Sequence, residues 1–452
     1  MILKNKKITV IGLGKSGFSA ACFLKGKKAL VRVSEASAGP AVRQKAESLR
    51  RLGIPVETGG HTKSFILGSG LLVASPGVPQ DSLPLHLARK NKIPVISEIQ
   101  LASYFCKGKI IAVTGSNGKT TTCHLIHRML SDARQKAVLC GNVGTPFLSV
   151  LPAIDKKTVV VLEVSSFQLE DSPTFKPAVA LVLNVSPNHL DRHKTFGRYL
   201  NAKKNIFKNQ NKSDRLVLNF DRPEVRRMSR EAASRVFFFG KETFKENGIF
   251  VLNGTVFLKR SARRAKPLFT LEDFPLKGKH NLENMLAAAS VALFFKVPPS
   301  SIQETLKTFK TLPCRIELIG KHRGIRFIDD SKSTTVDSTR AALEAVEGSV
   351  VLVAGGRDKG LSFEEVEPLL KDKVRRAVFY GEARKKIAAS LKSFGRYRLV
   401  GDFRQAVRLA IGFARPGDAV LLSPMCTSFD QFSSYQERGE AFKEVVKKFN
   451  GS

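Results

Sequence analysis

A chain of 452 residues with 42% apolar and 25% charged content is too long for one hydrophobic core, so two to four folded domains are expected. No apolar run reaches the ~18 residues of a membrane span, and the six scattered cysteines form neither a C-x-x-C pair nor a zinc-type Cys/His spacing, so any metal is expected to be a hard one held by oxygens. The balance of 75 Lys+Arg against 39 Asp+Glu, a net +36, would suit nucleic acid, an anionic surface or small polyanionic substrates, but the basic residues are spread along the chain and the densest run, "KRSARRAK" (259–266), has no interleaved aromatics, so it reads as solvated charge.

The N-terminal "MILKNKKITVIGLG" runs directly into strand-like sequence with no cleavage site, which makes a cytoplasmic protein the expectation. "GLGKSG" (12–17) is a G-x-G-x-x-G after a strand, with Glu35 18 positions beyond Gly17. Alone it fits NAD or FAD, and hence an oxidoreductase, but a lone fingerprint is weak. "LLVASPGVP" (71–79) closes a later strand and "KIPVISEIQLASYF" (92–105) ends the region, giving a first α/β domain over 1–100.

A second domain, 101–312, opens at "GKIIAVTGSNGKTTT", where an apolar strand runs into glycines and a helical pattern of Leu125, Ile126, Met129 and Leu130 follows. The loop is a shortened phosphate-binding loop: Val113 stands where a full G-x-x-x-x-G-K-[ST] has its first glycine. Backbone N–H groups of Gly115, Asn117 and Gly118 can surround phosphate oxygens at the helix start. Lys119 supplies a point charge near the β- and γ-phosphates, and Thr120, followed by Thr121, a hydroxyl for Mg²⁺. A nucleotide triphosphate is the expected ligand. "TVVVLEVSS" (158–166) and "AVALVLNVS" (178–186) are continuous apolar runs, as in strands covered on both faces. Glu163 interrupts the first at its tip, a position that suits a Mg²⁺ ligand and not a core residue. "NGIFVLNGTVFLKR" (247–260) reads as a hairpin turning at Asn253-Gly254, a side excursion from the main sheet. A third α/β set over 313–452 includes "SVVLVAGG" (349–356), "RAVFYG" (376–381) and "DAVLLSPMC" (418–426).

"TGSNGKTTT" resembles the ATP loop of the Mur ligases and their relatives the folylpolyglutamate synthases, which make amide bonds through an acyl phosphate. Ordered motifs in all three regions carry the resemblance over essentially the whole chain. It implies an α/β protein of three domains: a Rossmann-like N-terminal domain, a central P-loop-type ATP-binding domain with a mostly parallel sheet, and a C-terminal Rossmann-like domain. In "LNVSPNHLDRH" (183–193), beside Asp191 and Arg192, it makes His189 a metal ligand together with Thr120 and Glu163. In "YLNAK" (199–203) it makes Lys203 a carbamylated lysine bridging magnesium, and two Mg²⁺ ions are implied. "LKGKHNLENMLAA" (276–288) gives His280, Asn281 and Asn284 as nucleotide contacts, and "LPCRIE" (312–317) gives Arg315; many members have His where this chain has Cys314.

"IDDSKSTT" (328–335) is similar to the D-S-K-A-T-N stretch of the branch that adds D-glutamate, where sister enzymes usually start D-Y-A-H. On that resemblance Asp330 contacts ATP, Lys332 phosphate or metal, and Thr334 D-glutamate, with Thr335 replacing the usual Asn. Lys359 and Ser428 would hold the D-glutamate carboxylates, with Tyr435 where Phe is common. A basic group paired with a hydroxyl is what recognition of a dicarboxylate needs. The N-terminal domain would bind a uridine diphosphate sugar through Gly14, Lys15, Ser16 and Glu35, with Ser75 and Asn142 completing the groove; the usual Asp and Arg are here Glu35 and Ser37. Lys119, Glu163, His189, Lys203 and Lys332 form the catalytic set so implied. A monomer using small-molecule substrates, with no specific nucleic-acid or membrane partner, is expected. The alternatives are another amino-acid-adding ligase, and a basic ATP-dependent nucleic-acid-binding protein with steeply salt-dependent affinity.

Overall fold

The computed structural model describes residues 1–260, 263–271, 274–275, 278–360 and 362–450. Parts of two runs singled out in the sequence, positions 261–262 and 276–277, lie outside the described residues, as does the side chain of Asp191. The chain forms two compact units, Met1–Asp273 with Glu283–Lys307 and Phe274–Leu282 with Thr308–Ser452.

The first unit holds two sheets. In the N-terminal one, β1 (Lys7–Ile11), β2 (Leu30–Glu35), β3 (Val56–Thr58), β4 (Leu71–Ala74) and β5 (Val95–Ser97) run parallel in the order β3-β2-β1-β4-β5. The strand order reverses at β1, so the glycine loop after β1 opens at the switch point where such sheets bind ligands. Gly12 takes φ +89°, and a Cβ on Gly17 would collide with the Gly12 carbonyl. Both glycines are thus required by the tight turn into the helix Lys15–Gly26.

The second sheet is built on β6 (Lys109–Thr114), β7 (Ala137–Gly141), β8 (Val159–Glu163), β9 (Val179–Val182), β10 (Arg215–Asn219), β11 (Arg235–Gly240), β12 (Gly248–Leu252), β13 (Thr255–Lys259) and β14 (Lys266–Thr270), in the order β14-β13-β12-β11-β10-β9-β6-β8-β7. Every residue of β8 and β9 is buried, which is why these strands read as unbroken apolar runs. Asn253 and Gly254 both have positive φ, and Leu252 pairs with Thr255, as a two-residue hairpin requires. The hairpin is not a side excursion, however: β12 pairs parallel with β11, and β13 and β14 extend the same sheet in antiparallel sense. Local turn chemistry specifies a hairpin but not the edge it joins.

One apolar cluster joins the two sheets of this unit, from Val10 and Leu24 to Val160 and Ala180. Glu98 sits inside it, accepting a hydrogen bond from the Leu148 N–H at 2.7 Å, while its other oxygen has no well-aligned partner among the described residues. Burial pushes its carboxyl up to about 7. The folded chain therefore holds a proton that the unfolded carboxyl releases near pH ~4.3, so this contribution to stability is full below that pH and is lost as pH rises through about 7. Glu98→Gln is expected to flatten this part of the profile and to stabilise the protein at pH 8 by up to about 3 kcal/mol; urea unfolding at pH 5 and pH 8 reads both.

The second unit carries β15 (Glu317–His322), β16 (Ile325–Asp329), β17 (Val350–Gly355), β18 (Val374–Tyr380), β19 (Tyr397–Leu399) and β20 (Ala419–Met425) in the order β15-β16-β20-β17-β18-β19. Among the described residues of this sheet, only β15 runs antiparallel to its neighbour. Apolar clusters cover both faces, around Leu352 and Phe379 on one and Val353, Phe403 and Phe442 on the other. Arg438 is fully buried and donates to Tyr380 Oη, Ser331 O and Cys426 O at 2.8–3.1 Å, so it holds three segments together from within. No helix among the described residues is long and apolar enough to cross a membrane.

Candidate active site

The shortened loop lies between β6 and the helix Lys119–Asp132, at the C-terminal edge of the central sheet. Gly118 caps the helix with φ +84°, and a Cβ there would collide with Asn284 Oδ1. Asn284 also accepts from Thr122 Oγ1 at 3.2 Å, so this expected nucleotide contact packs directly on the loop's helix. Asn184, which nothing in the sequence reading marked, ties down the loop: its Oδ1 accepts from Asn117 N at 2.9 Å and its Nδ2 donates to Asn117 O at 3.2 Å. Ser116 is fixed from the other side, donating to Ser186 O at 3.1 Å and lying 3.0 Å from Tyr199 Oη. The signal for these partners is tertiary, since each loop residue meets a segment more than sixty positions away.

Glu163 ends β8 and is buried, as its interruption of an apolar run suggested. Its two oxygens accept from Thr120 Oγ1 at 2.7 Å and from Asn142 Nδ2 at 3.0 Å. Asn142, expected against the sugar nucleotide, is thus placed beside the loop hydroxyl. Hydroxyl and carboxylate oxygens converging here form a donor set that fits a hard divalent cation.

Two lysines converge on one carbonyl. Lys119 Nζ donates to Gly115 O at 2.8 Å and Ser116 O at 3.0 Å, and Lys203 Nζ donates to the same Gly115 O at 2.9 Å. Lys203 is 1% exposed, with its amine over the Tyr199 ring. Burial, reinforced by the Lys119 charge and opposed by Glu163, holds the Lys203 amine well below the usual lysine range. Burial is the larger cause, because Gly115 O and the Thr114 hydroxyl are neutral acceptors that replace little of the solvation a buried ammonium loses.

His189 has φ +56°, an uncommon conformation for a side-chain-bearing residue, and its ring meets Phe167 edge-on at 4.9 Å. His193, four residues on, is buried between Ser166 Oγ, 2.9 Å away, and Glu170, 3.2 Å away. The two histidines of one motif therefore differ: His193 is held in the packing, and His189 lines a cleft of about 810 Å³. That cleft also takes Pro76, His86, Arg89, Arg192 and Lys194, giving it a basic lining suited to a polyanion. Arg192 stacks over Phe167 and donates to Pro76 O at 2.7 Å.

In the N-terminal domain, Glu35 accepts from Leu13 N at 2.5 Å and Ser37 N at 2.8 Å, closing the mouth of the glycine loop. Ser75 Oγ donates to Gly12 O at 3.1 Å, while Gly14 and Lys15 are exposed at the helix start and Ser16 is half-buried.

Three regions of the chain match models of Mur ligase domains: residues 6–97 the MurD-like N-terminal domain, 113–292 the middle domain, and 314–426 the glutamate ligase domain. Full-length relatives named UDP-N-acetylmuramoylalanine--D-glutamate ligase are similar throughout. The Acidobacterium capsulatum protein is 40% identical, covering 100% of this chain and 98% of its own length. The Caldicellulosiruptor bescii protein is also 40% identical, over 99% of this chain and 98% of its own. The chain belongs to the Mur ligase family. Solved Mur ligases share its fold: UDP-N-acetylmuramate-alanine ligase from Thermotoga maritima aligns with a TM-score of 0.62 at 19% identity over 98% of this chain and 99% of that one. The MurF ligase of the same organism, solved with ADP, gives 0.59 at 19% identity over 93% and 95%.

In the Mur ligase's second unit, Lys332 Nζ donates to Tyr435 Oη at 2.8 Å and lies 4.3 Å from that ring's centroid. Lys359 Nζ donates to Thr334 Oγ1 at 3.4 Å, and Ser428 is buried. The structure thus pairs Lys359 with Thr334, both expected to hold D-glutamate, and joins Tyr435 of that set to Lys332, the expected phosphate or metal contact. Tyr435, in place of the common Phe, adds a hydroxyl that engages Lys332. Asp330 is buried and occupied: it accepts from Ser423 Oγ at 2.8 Å and Ile316 N at 3.3 Å, and burial pushes its carboxyl up to about 7. Arg315 lies in the same turn and is half-buried. His280 and Asn281 fall in the second unit and Asn284 in the first, although one helix, Lys279–Phe294, carries all three. Thr121 is buried in the first turn of the loop's helix.

Proposed function

We propose that this chain joins D-glutamate to UDP-N-acetylmuramoyl-L-alanine with ATP in peptidoglycan precursor synthesis, through an acyl phosphate on the alanine carboxylate. The observation that carries the reading is that Lys119 and Lys203 share Gly115 O in a phosphate loop whose Thr120 bonds to the buried Glu163 carboxylate. Full-length relatives bear the name of that reaction.

Lys119 holds its ammonium on loop carbonyls and can turn onto phosphate oxygens, offsetting the charge that develops during phosphoryl transfer. Glu163, Thr120 and His189 would hold Mg²⁺, and two ions are proposed. Bound Mg²⁺ polarises phosphoryl oxygens and neutralises their charge. A buried neutral Lys203 amine can add to CO₂, forming an N–C bond and releasing a proton, to give a carbamate whose oxygens suit the same cation. The charge at Gly115 O would then change from one ammonium beside a neutral amine to one cation and one anion. The basic cleft containing His189 and Arg192 takes the sugar nucleotide, with Gly14, Lys15, Ser16, Glu35, Ser75 and Asn142 along its path. Lys359, Ser428, Thr334 and Tyr435 orient D-glutamate, and its amine displaces phosphate from the acyl carbon. His280, Asn281, Asn284, Arg315, Asp330 and Lys332 complete the nucleotide and phosphate contacts. We propose domains over 1–100, 101–312 and 313–452, in a cytoplasmic monomer.

A phosphate-release assay with each amino acid in turn tests this. Release is expected only with ATP, the sugar nucleotide and D-glutamate together. Release driven by DNA or RNA alone, falling steeply with salt, would instead support the reading prompted by the +36 charge.

A further inference from the structure

Three ligand-type side chains meet in the second unit outside the residues assigned above. The ligand atoms of Cys314, Glu317 and Asp329 all lie within 4.8 Å of one another. Cys314 and Asp329 are buried and Glu317 is partly exposed, which gives the cluster an approach from solvent. Asp329 Oδ2 and the neighbouring Ser331 Oγ are both buried and make no well-aligned hydrogen bond among the described residues, their polar neighbours being one another and the Cys314 thiol.

These atoms pack together against one glycine of the last helix. A Cβ on Gly439 would stand 2.7 Å from Asp329 Oδ2, 2.8 Å from Ser331 Oγ and 2.9 Å from Cys314 Sγ. Gly439 lies inside the helix Tyr435–Asn450 and has no positive φ, so its bare Cα answers to the close approach of these side chains and not to its backbone conformation. Lys443 Nζ sits 3.2 Å from Glu317, offsetting one carboxylate of the cluster. The thiol is not poised as a nucleophile: burial and the Asp329 carboxylate push it up to about 11.

The geometry points to a site for a Zn²⁺-class divalent cation held by Cys314 Sγ and the carboxylates of Asp329 and Glu317, with Ser331 beside it. One sulfur with oxygens is a ligand set that Zn²⁺ accepts, at about 2.3 Å to sulfur and about 2.0–2.2 Å to oxygen, whereas Mg²⁺ prefers oxygen alone. On binding, the sulfur–metal bond forms and the thiol proton leaves to solvent, with no change of oxidation state. The cation ties the turn that carries Arg315 to the strand end that precedes Asp330. In that turn Cys314 and Ile316 both have positive φ, at +61° and +46°, and so need support from their surroundings.

The test is titration of the metal-free full-length protein with Co²⁺, followed by near-ultraviolet absorbance. One equivalent should produce a thiolate-to-cobalt charge-transfer band that Zn²⁺ removes and excess Mg²⁺ leaves in place. Cys314→Ser should abolish the band, Cys426→Ser should retain it, and Ser331→Ala should weaken binding by about 10–100-fold. Gly439→Ala should block the site by filling it; should that variant fail to fold, the isosteric Asp329→Asn gives the same reading. No band with the wild type, a band that survives Cys314→Ser, or displacement by Mg²⁺ as readily as by Zn²⁺ would overturn the assignment.

Discussion

Lys203→Ala is expected to lower turnover by about 10³-fold or more while leaving the fold intact. The argument rests on charge and burial. Lys203 and Lys119 both donate to Gly115 O, and Lys203 is buried to 1% exposure, so an ammonium there would face a second cation with little solvent to screen it. On the proposed reading, an amine kept neutral by this environment carries CO₂, and the resulting carbamate would supply anionic oxygen toward Thr120 and Glu163. Alanine removes that oxygen and leaves the loop otherwise held by Asn184, Ser186 and Tyr199. Loss of one preorganised electrostatic group in a dry site is worth about 10²–10³ in rate, and lost metal affinity adds to it. The accompanying check is chemical rescue: acetate or formate, by occupying the vacated volume with a carboxylate, should restore part of the turnover in Lys203→Ala and none in Lys203→Leu. A Lys203→Ala enzyme turning over near the wild-type rate would remove the carbamate from the account.

The second large effect is expected at Lys119. Lys119→Met keeps the length of the side chain and deletes its charge. In the structure the ammonium bonds to Gly115 O and Ser116 O, carbonyls of its own loop. Losing two local charge-assisted hydrogen bonds at a partly exposed position should cost no more than about 1–3 kcal/mol of stability. Turnover should fall by about 10²–10³-fold, because the charge matters most when the transferred phosphoryl group is between donor and acceptor. Rapid-quench rates at saturating ATP together with a melting curve separate the two. A large loss of stability with a small loss of rate would make Lys119 a structural residue of the loop.

Much of this site can be read along the chain because its elements are local. A strand buried on both faces has little reason to end in a glutamate, so Glu163 stands out before any coordinate is known, and the loop's glycines, lysine and threonine are adjacent in sequence. The supports of that loop are different. Asn184 and Tyr199 resemble ordinary polar and aromatic residues until folding brings them 67 and 83 positions back onto Asn117 and Ser116. The extension of the central sheet through β12 to β14 was hidden for a related reason, since a hairpin's turn says nothing about its neighbours. Cysteine spacing pointed only to hard, oxygen-held metals. The Cys314 cluster escapes that rule because its second carboxylate comes from the end of β16 and a glycine in the last helix lets these side chains pack together.

Oxygen tracing tests the central claim most directly. With both oxygens of the alanine carboxylate of the sugar nucleotide labelled with oxygen-18, turnover with unlabelled ATP and D-glutamate should deliver one labelled oxygen to each phosphate released, since the carboxylate attacks the γ-phosphorus and leaves its oxygen there. Phosphate free of label, with its new oxygen drawn from solvent water, would mean that the loop serves ATP hydrolysis and not carboxyl activation.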